Sequence, residues 1–311
     1  MKILKLVDTY VQYALSSQVN LHNLDPSKTL IPLSPRKGEH TLRTSDIINT
    51  IETQGNEIAL VMFSGVQFLT GQVFDMESIT KAAKAKGCVV GFDLAHAIGN
   101  VPLQLHNWGV DFAVWCSYKY LNASPGGLAG IFVNNSLKSN DTSIKRLEGW
   151  WGSDPESRFE MSSTFTPSIG ASSWMVSNTP VLTLTALYAS LQIFDEAGGI
   201  LKLREKSTKL SGYLIILLKL SKFYTSDLNN INYNQFSILT PENENERGCQ
   251  VSLKFNKDFM IPIYNKLKFN GVIGDDRNPD VIRLSPVPLY NTFDEVYRCV
   301  DILNYILGHT L

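Results

Sequence analysis

Apolar residues in the first half of the chain fall into short unbroken runs separated by polar stretches of helical period, and that alternation predicts the fold. Ile58 to Phe63 is a continuous apolar run closed by Ser64-Gly65, the pattern of a buried parallel strand ending in a tight turn. Cys88 to Phe92, Asp111 to Cys116 and Leu128 to Val133 repeat it, the last beyond a Pro125-Gly126-Gly127 turn. Between them, Asp75 to Lys86 has the composition of a surface helix with Gly87 at its C-cap. Thr44 to Gln54 reads as an amphipathic helix with Ser45 as N-cap and Ile47, Ile48 and Ile51 on one face. Strand, helix, strand in repetition predicts an α/β fold, a mainly parallel sheet covered by helices.

The pattern changes beyond a long helix at Thr179 to Ala197, which stops at Gly198-Gly199. A leucine-rich helix to Lys222, a polar linker, an alternating strand at Cys249 to Phe255, the segment Phe259 to Phe269, a strand around Val281 to Leu284 and a helix at Phe293 to Leu307 predict a smaller C-terminal α+β domain. The expected division is residues 1–198 and 199–311. Residues 1–18 carry no capping signal, and 21–38, punctuated by Pro26, Pro32 and Pro35, is expected to be extended or irregular. Residues 134–142 read as an exposed loop, and Gly149-Trp150-Trp151-Gly152 with Arg158 to Pro167 as a shaped one.

Composition narrows the partners. The 311 residues exceed what one core usually serves, and a hydrophobic fraction of 44% with 18% charged is that of a globular protein. A net charge of −1 without a long basic stripe argues against nucleic acid and anionic membranes and for a small-molecule partner. Cys88, Cys116, Cys249 and Cys299 stand singly, without Cys-x-x-Cys spacing, and read as reduced, buried thiols. With no run of signal-peptide character near Met1 and no apolar span of about 20 residues, a cytoplasmic location is expected.

The chemistry gathers at strand ends. One run delivers Asp93 and His96 and another delivers Tyr118 and Lys119, and side chains at the carboxyl ends of parallel strands converge on one crevice. Lys119 in isolation reads as a snorkelling side chain. Among aromatic groups, desolvation would instead favour the neutral amine that imine formation with an aldehyde cofactor needs. Pyridoxal phosphate also needs a carboxylate at its ring nitrogen, for which Asp93 is the candidate. Asp93 is equally suited to capping a helix. His96, one turn on, could bond the carboxylate or lie near the cofactor ring. Gly-x-Gly-x-x-Gly, the P-loop and Gly-x-Ser-x-Gly are absent, and no third cluster completes a metal site.

Phe92-Asp-Leu-Ala-His-Ala-Ile-Gly-Asn100, Trp108-Gly-Val-Asp-Phe112, Trp115-Cys-Ser-Tyr-Lys-Tyr-Leu-Asn122, Gly149-Trp150, Ser177-Asn178 and Arg283 to Asn291 together resemble the kynureninase family, from about Tyr13 onwards. Cysteine desulfurases and other class V aminotransferases share the Asp-x-x-His and the lysine but not the whole combination. The resemblance implies a homodimeric fold-type I pyridoxal phosphate enzyme that hydrolyses L-kynurenine or 3-hydroxy-L-kynurenine to L-alanine and an anthranilate, in tryptophan catabolism and NAD biosynthesis. It implies that Lys119 holds the cofactor aldehyde, Asp93 pairs with the ring nitrogen and His96 supports ring and carboxylate. Tyr118 would bond the phosphate and relay protons, Trp150 and Asn178 would contact cofactor and substrate, and Ser64 would lie by the phosphate or the ring oxygen. Arg283 would grip the substrate α-carboxylate, a task its planar fork suits. The family carries an N-terminal segment with a Leu-Thr pair at the phosphate and a Phe-Pro-Ser-Asp whose ring stacks on the cofactor. This sequence reads Asp8-Thr-Tyr-Val11 at the second and lacks the first. It is therefore expected to be an N-terminally truncated member with an incomplete large domain. The alternatives are an inactive partner subunit or another class V enzyme such as a cysteine desulfurase.

Overall fold

A computed structural model describes residues 2–6, 9–136 and 144–309. The chain opens with β1 (Lys2–Leu6), α1 (Thr9–Leu21), the single turn α2 (Pro26–Thr29) and β2 (Leu30–Leu33), followed by α3 (Thr44–Gln54) and β3 (Ile58–Ser64). Then come α4 (Met76–Ala85), β4 (Val89–Asp93), β5 (Phe112–Cys116) and β6 (Ala129–Val133). The six strands form one sheet in the order β2-β1-β3-β4-β5-β6. All neighbours are parallel except β5 and β6.

The sheet core is built from the predicted runs. Val61, Phe63, Val90, Phe92 and Ala113 from the strands pack with Ile47 and Ile51 of α3 and Ile79 and Ala83 of α4. Asp111 fixes the entry to this layer: its buried carboxylate accepts from Lys84 Nζ at 2.8 and 2.9 Å and from the Val90 amide at 2.8 Å. Asp75 caps α4 through the Ser78 amide, and Gly87, at φ +76°, supplies the left-handed residue after it.

Several expectations change. The predicted cap Ser45 lies inside α3, where Arg43 is the N-cap and makes no side-chain bond to the helix. The opening stretch and the proline-punctuated connector are not irregular: they supply α1, α2 and two strands, with Pro32 tolerated because β2 is the sheet edge. Asn134, expected in an exposed loop, is buried and donates to the Val110 carbonyl at 3.0 Å. The rest of that loop, 137–142, lies outside the described residues. Of the four cysteines, Cys88 and Cys249 are buried whereas Cys116 and Cys299 are half-buried.

α5 (Val181–Glu196) and α6 (Gly199–Leu220) lead into the second half. There β7 (Phe236–Ile238), β8 (Val251–Phe255), α7 (Met260–Phe269), β9 (Asp275–Arg277), β10 (Val281–Leu284) and α8 (Phe293–His309) follow. The strands make an antiparallel sheet in the order β7-β8-β10-β9. A separate core forms on it, with Leu210 and Leu214 of α6, Ile263 of α7 and Val300 and Leu303 of α8 against Leu253 and Ile282.

The two sheets meet through the turn that follows β3. The carbonyls of Phe68, Leu69 and Thr70 accept from Gln250 Nε2, Ser252 Oγ and Thr240 Oγ1 at 2.6–2.8 Å, and the Cys249 amide donates to Asn100 Oδ1 at 2.9 Å. This seam sets the small sheet over the carboxyl ends of the parallel strands.

Candidate active site

The parallel register places the strand ends side by side: Ser64 is opposite Asp93 and Asp93 opposite Val114. They open into a cavity of about 580 Å³ lined by Ser64, Asp93, His96, Tyr118, Lys119 and Arg277 together with Val66, Phe68 and Trp115. A sequence signal at strand ends thus becomes a convergent set of side chains, as the α/β architecture requires.

Asp93 Oδ1 accepts from the Ala95 amide at 2.9 Å, so the carboxylate organises a turn rather than the expected helix. Its cap-like and cavity-lining roles coexist. His96 does not bond Asp93. Its Nε2 lies 3.0 Å from Lys119 Nζ, while its Nδ1 is buried with no hydrogen-bond partner among the described residues. Burial, reinforced by the charges of Lys119, Arg283 and Arg277, lowers the imidazole pKa to about 3. His96 is therefore neutral at any physiological pH. With Lys119 as the donor in the shared bond, the His96 proton sits on Nδ1, a donor left for a ligand.

Lys119 does not snorkel away. Its side chain is half-buried, with Nζ between His96 and the Tyr118 ring, whose centroid is 5.9 Å away. Hydrogen bonding with the Cys116 thiol, then the charge of that group, burial and Asp93, push the Tyr118 phenol up from its ordinary value. Tyr118 thus stays protonated near neutrality. Tyr120 meets His96 edge-on, its ring centroid 6.0 Å away, and its hydroxyl reaches Ser285 Oγ at 3.4 Å, tying this turn to the small sheet.

Arg283 is no surface ion pair. At 8% exposure it lies on β10, donating from Nη1 to the Phe68 carbonyl at 2.7 Å and engaging Asp275 with its other nitrogens. The arginine that lines the cavity itself, beside Lys119, is Arg277, which sequence reasoning missed. Its surroundings, Gly274-Asp-Asp-Arg-Asn-Pro279, look like a polar surface turn, and only the pairing of β9 with β10 brings it inward.

Trp150 and Asn178 are not brought to the cavity of their own chain. Trp150 is 55% exposed, its Nε1 donating to the Arg158 carbonyl at 3.1 Å and its ring edge-on to Trp151 and Phe159. Asn178 is exposed and does not cap α5, whose N-cap is Pro180.

This donor set fits pyridoxal phosphate. A primary amine, a carboxylate and a neutral imidazole with an unsatisfied buried nitrogen line one cavity of sufficient size, and a hydroxyl closes β3 beside them.

Known proteins agree with the geometry. Residues 31–245 match the family described as Aminotransferase class-V, and residues 203–303 match the Kynureninase C-terminal domain. Kynureninase of Yarrowia lipolytica is 52% identical over 298 residues, covering 94% of this chain and 68% of that protein. The chain belongs to the kynureninase family. Mouse kynureninase is 48% identical over 299 residues, covering 95% of this chain and 62% of its own length. The chain thus spans about two thirds of the length of the curated kynureninases it matches.

Among solved structures, an apo cysteine desulfurase from Thermococcus onnurineus superposes with a TM-score of 0.76, covering 99% of this chain and 72% of its own, at 16% identity. A C-DES variant with glycine covalently linked to its PLP cofactor gives 0.75, covering 97% and 74%, also at 16%. At that identity these likenesses show the fold, that of fold-type I pyridoxal phosphate enzymes. A kynureninase in this fold uses pyridoxal phosphate as its cofactor.

Proposed function

We propose that this kynureninase family member hydrolyses the Cβ–Cγ bond of L-kynurenine or 3-hydroxy-L-kynurenine, releasing L-alanine and anthranilate or 3-hydroxyanthranilate. The observation that carries the reading is Lys119 Nζ lying 3.0 Å from a neutral His96 in a cavity shared with Asp93. Pyridoxal phosphate, when bound, supplies an aldehyde for a primary amine and a pyridine ring that holds an electron pair while a substrate bond breaks.

The chain's own residues account for the rest. Lys119 is the primary amine that holds the cofactor, and once released by substrate it is the base placed to carry a proton at the α-carbon. Asp93 holds the ring nitrogen protonated. His96, neutral, would support the ring without setting a competing positive charge beside it. Tyr118, kept protonated, donates to the phosphate and returns protons to the carbon skeleton. Ser64 offers a hydroxyl to the phosphate or ring oxygen, and Arg283 grips the α-carboxylate.

Trp150 and Asn178 contact cofactor and substrate across a homodimer in this reading. Its support is an exposed apolar face on α5, with Leu182 86%, Val181 69% and Tyr188 62% exposed, directly after the stretch bearing Asn178, which crosses the one bearing Trp150 at Gly149. Residues 1–198 form the large part of the protomer and 199–311 the small part, with the reaction in the cytoplasm.

The test is to purify the chain with pyridoxal phosphate and record its visible absorption. The bound-cofactor band is expected in the wild type and absent from Lys119→Ala, with kynurenine turnover lost alongside it. A wild-type chain that shows no band at saturating cofactor refutes the reading.

A further inference from the structure

Arg283 is already occupied. In register β9 sets Asp275 opposite Arg283 of β10, and Asp275 and Arg277, two residues apart on one strand, share that face. A single carboxylate oxygen, Asp275 Oδ1, accepts from Arg283 Nε at 3.1 Å and from Arg277 Nη1, and it lies 2.9 Å from Arg283 Nη2 as an ion pair. The side of the guanidinium fork best suited to a carboxylate is therefore filled by one from the chain itself. Arg283 Nη1 is committed elsewhere, to the Phe68 carbonyl.

Arg277 is built differently. It lines the cavity, it shares Asp275 through one nitrogen, and its Nε is buried with no hydrogen-bond partner among the described residues. A buried donor without an acceptor carries a desolvation cost that is recovered when an acceptor arrives. Two arginines and one aspartate leave the cluster one positive charge in excess, which one carboxylate neutralises.

We infer that Asp275 is a resident place-holder for the substrate's α-carboxylate, which on binding takes the Arg283 fork and displaces Asp275 onto the open donors of Arg277. This rests on the reading of Arg283 as the carboxylate grip. Asp275 and Arg277 are then positioning residues that set selectivity for carboxylate ligands. The exchange keeps both guanidinium groups paired in the empty and filled states. An unpaired buried charge would otherwise be costly in one of them. Because the substrate competes with an internal carboxylate, affinity is moderated and the amino acid product can leave.

The experiment titrates cofactor-loaded protein with L-alanine and with L-alaninamide by calorimetry. Asp275→Asn is expected to bind L-alanine roughly tenfold tighter while L-alaninamide changes less than about twofold. Arg277→Gln leaves the displaced Asp275 only water in place of a cation and is expected to bind L-alanine roughly tenfold more weakly. The double variant is expected to return to the affinity of Asp275→Asn, because with no carboxylate to receive, Arg277 has no task. That non-additivity is what a purely structural or long-range charge effect would not give.

Asp275→Glu is expected to restore near wild-type binding, and thermal unfolding of each variant checks that the fold is kept. With kynurenine the change in Asp275→Asn is expected in KM, with kcat equal or lower as release slows. The inference is overturned if Asp275→Asn weakens or leaves unchanged L-alanine binding, or if the loss in Arg277→Gln persists in the double variant. Arg283→Gln separates the two claims: loss of L-alanine affinity with L-alaninamide retained upholds the grip, whatever the other variants show. If L-alanine affinity survives Arg283→Gln, the grip is wrong and this inference falls with it.

Discussion

His96 shows how one side chain ties the site to the stability of the fold. Its pKa of about 3 in the folded chain stands against roughly 6.5 for an imidazole in an unfolded one. Between those values the unfolded chain binds a proton that the folded chain refuses, so stability falls as pH drops from about 6.5 towards about 3. The slope from this group is at most ~1.4 kcal/mol per pH unit, and above pH ~6.5 it vanishes because both states are neutral. His96→Gln removes the titration: the difference in unfolding free energy between pH 8 and pH 5 is expected to shrink by about 2 kcal/mol in urea titrations. An unchanged difference would mean that His96 is protonated in the fold. The residues of this cluster were legible in the sequence because each ends an apolar run or follows one within a few positions. The bond that matters most was not. His96 pairing with Lys119 instead of Asp93 depends on a turn where the sequence suggested a helix, which no apolar period reports. Arg277 and Asp275 were hidden for a related reason, since charged residues on a three-residue strand carry no pattern of burial.

At the scale of elements, Gly149 governs an irregular region that neither helix nor strand organises. A Cβ at Gly149 would overlap the backbone of Val176, so two distant stretches, one leading into Trp150 and the other into Ser177-Asn178, cross there in direct contact. Gly149→Ala must push them apart, at about 1–3 kcal/mol. The expected result is a lower melting temperature together with weaker retention of pyridoxal phosphate on dialysis. A lower melting temperature with cofactor retention intact would separate Trp150 and Asn178 from the cofactor. The sequence marked this stretch as shaped because glycines bracket two tryptophans, yet it could not say what the glycine approaches. The central strands were readable to within a residue at most ends, since β3 and β4 are apolar and buried over most of their length. β1 was not, because Lys2 and Lys5 interrupt it, although Lys5 is buried in the sheet. Nor was the reversed direction of β6, because an apolar run has the same appearance whichever way it lies.

Over the whole molecule, the unusual surface is α5, whose outward side chains are leucine, valine, isoleucine and tyrosine where a solvent-facing helix would carry charge. Leu182→Glu places a charge on that face, at its most exposed leucine. Light scattering is expected to give twice the 34.7 kDa chain mass for the wild type and the single-chain mass for the variant. Equal masses would mean that this face does not pair two copies. The opposite kind of surface joins the two sheets within one chain. There the turn after β3 offers the main-chain oxygens of Phe68, Leu69 and Thr70 as acceptors, and that of Phe68 also anchors Arg283. A carbonyl belongs to every amino acid, so this turn's share of the joint survives almost any replacement at 68–70 that keeps the turn. Mutational sensitivity should therefore be lopsided, falling on Thr240, Gln250, Ser252 and Arg283. Sequence drift in the turn can then reshape the wall of the cavity, which Phe68 lines, without loosening the seam between the two sheets.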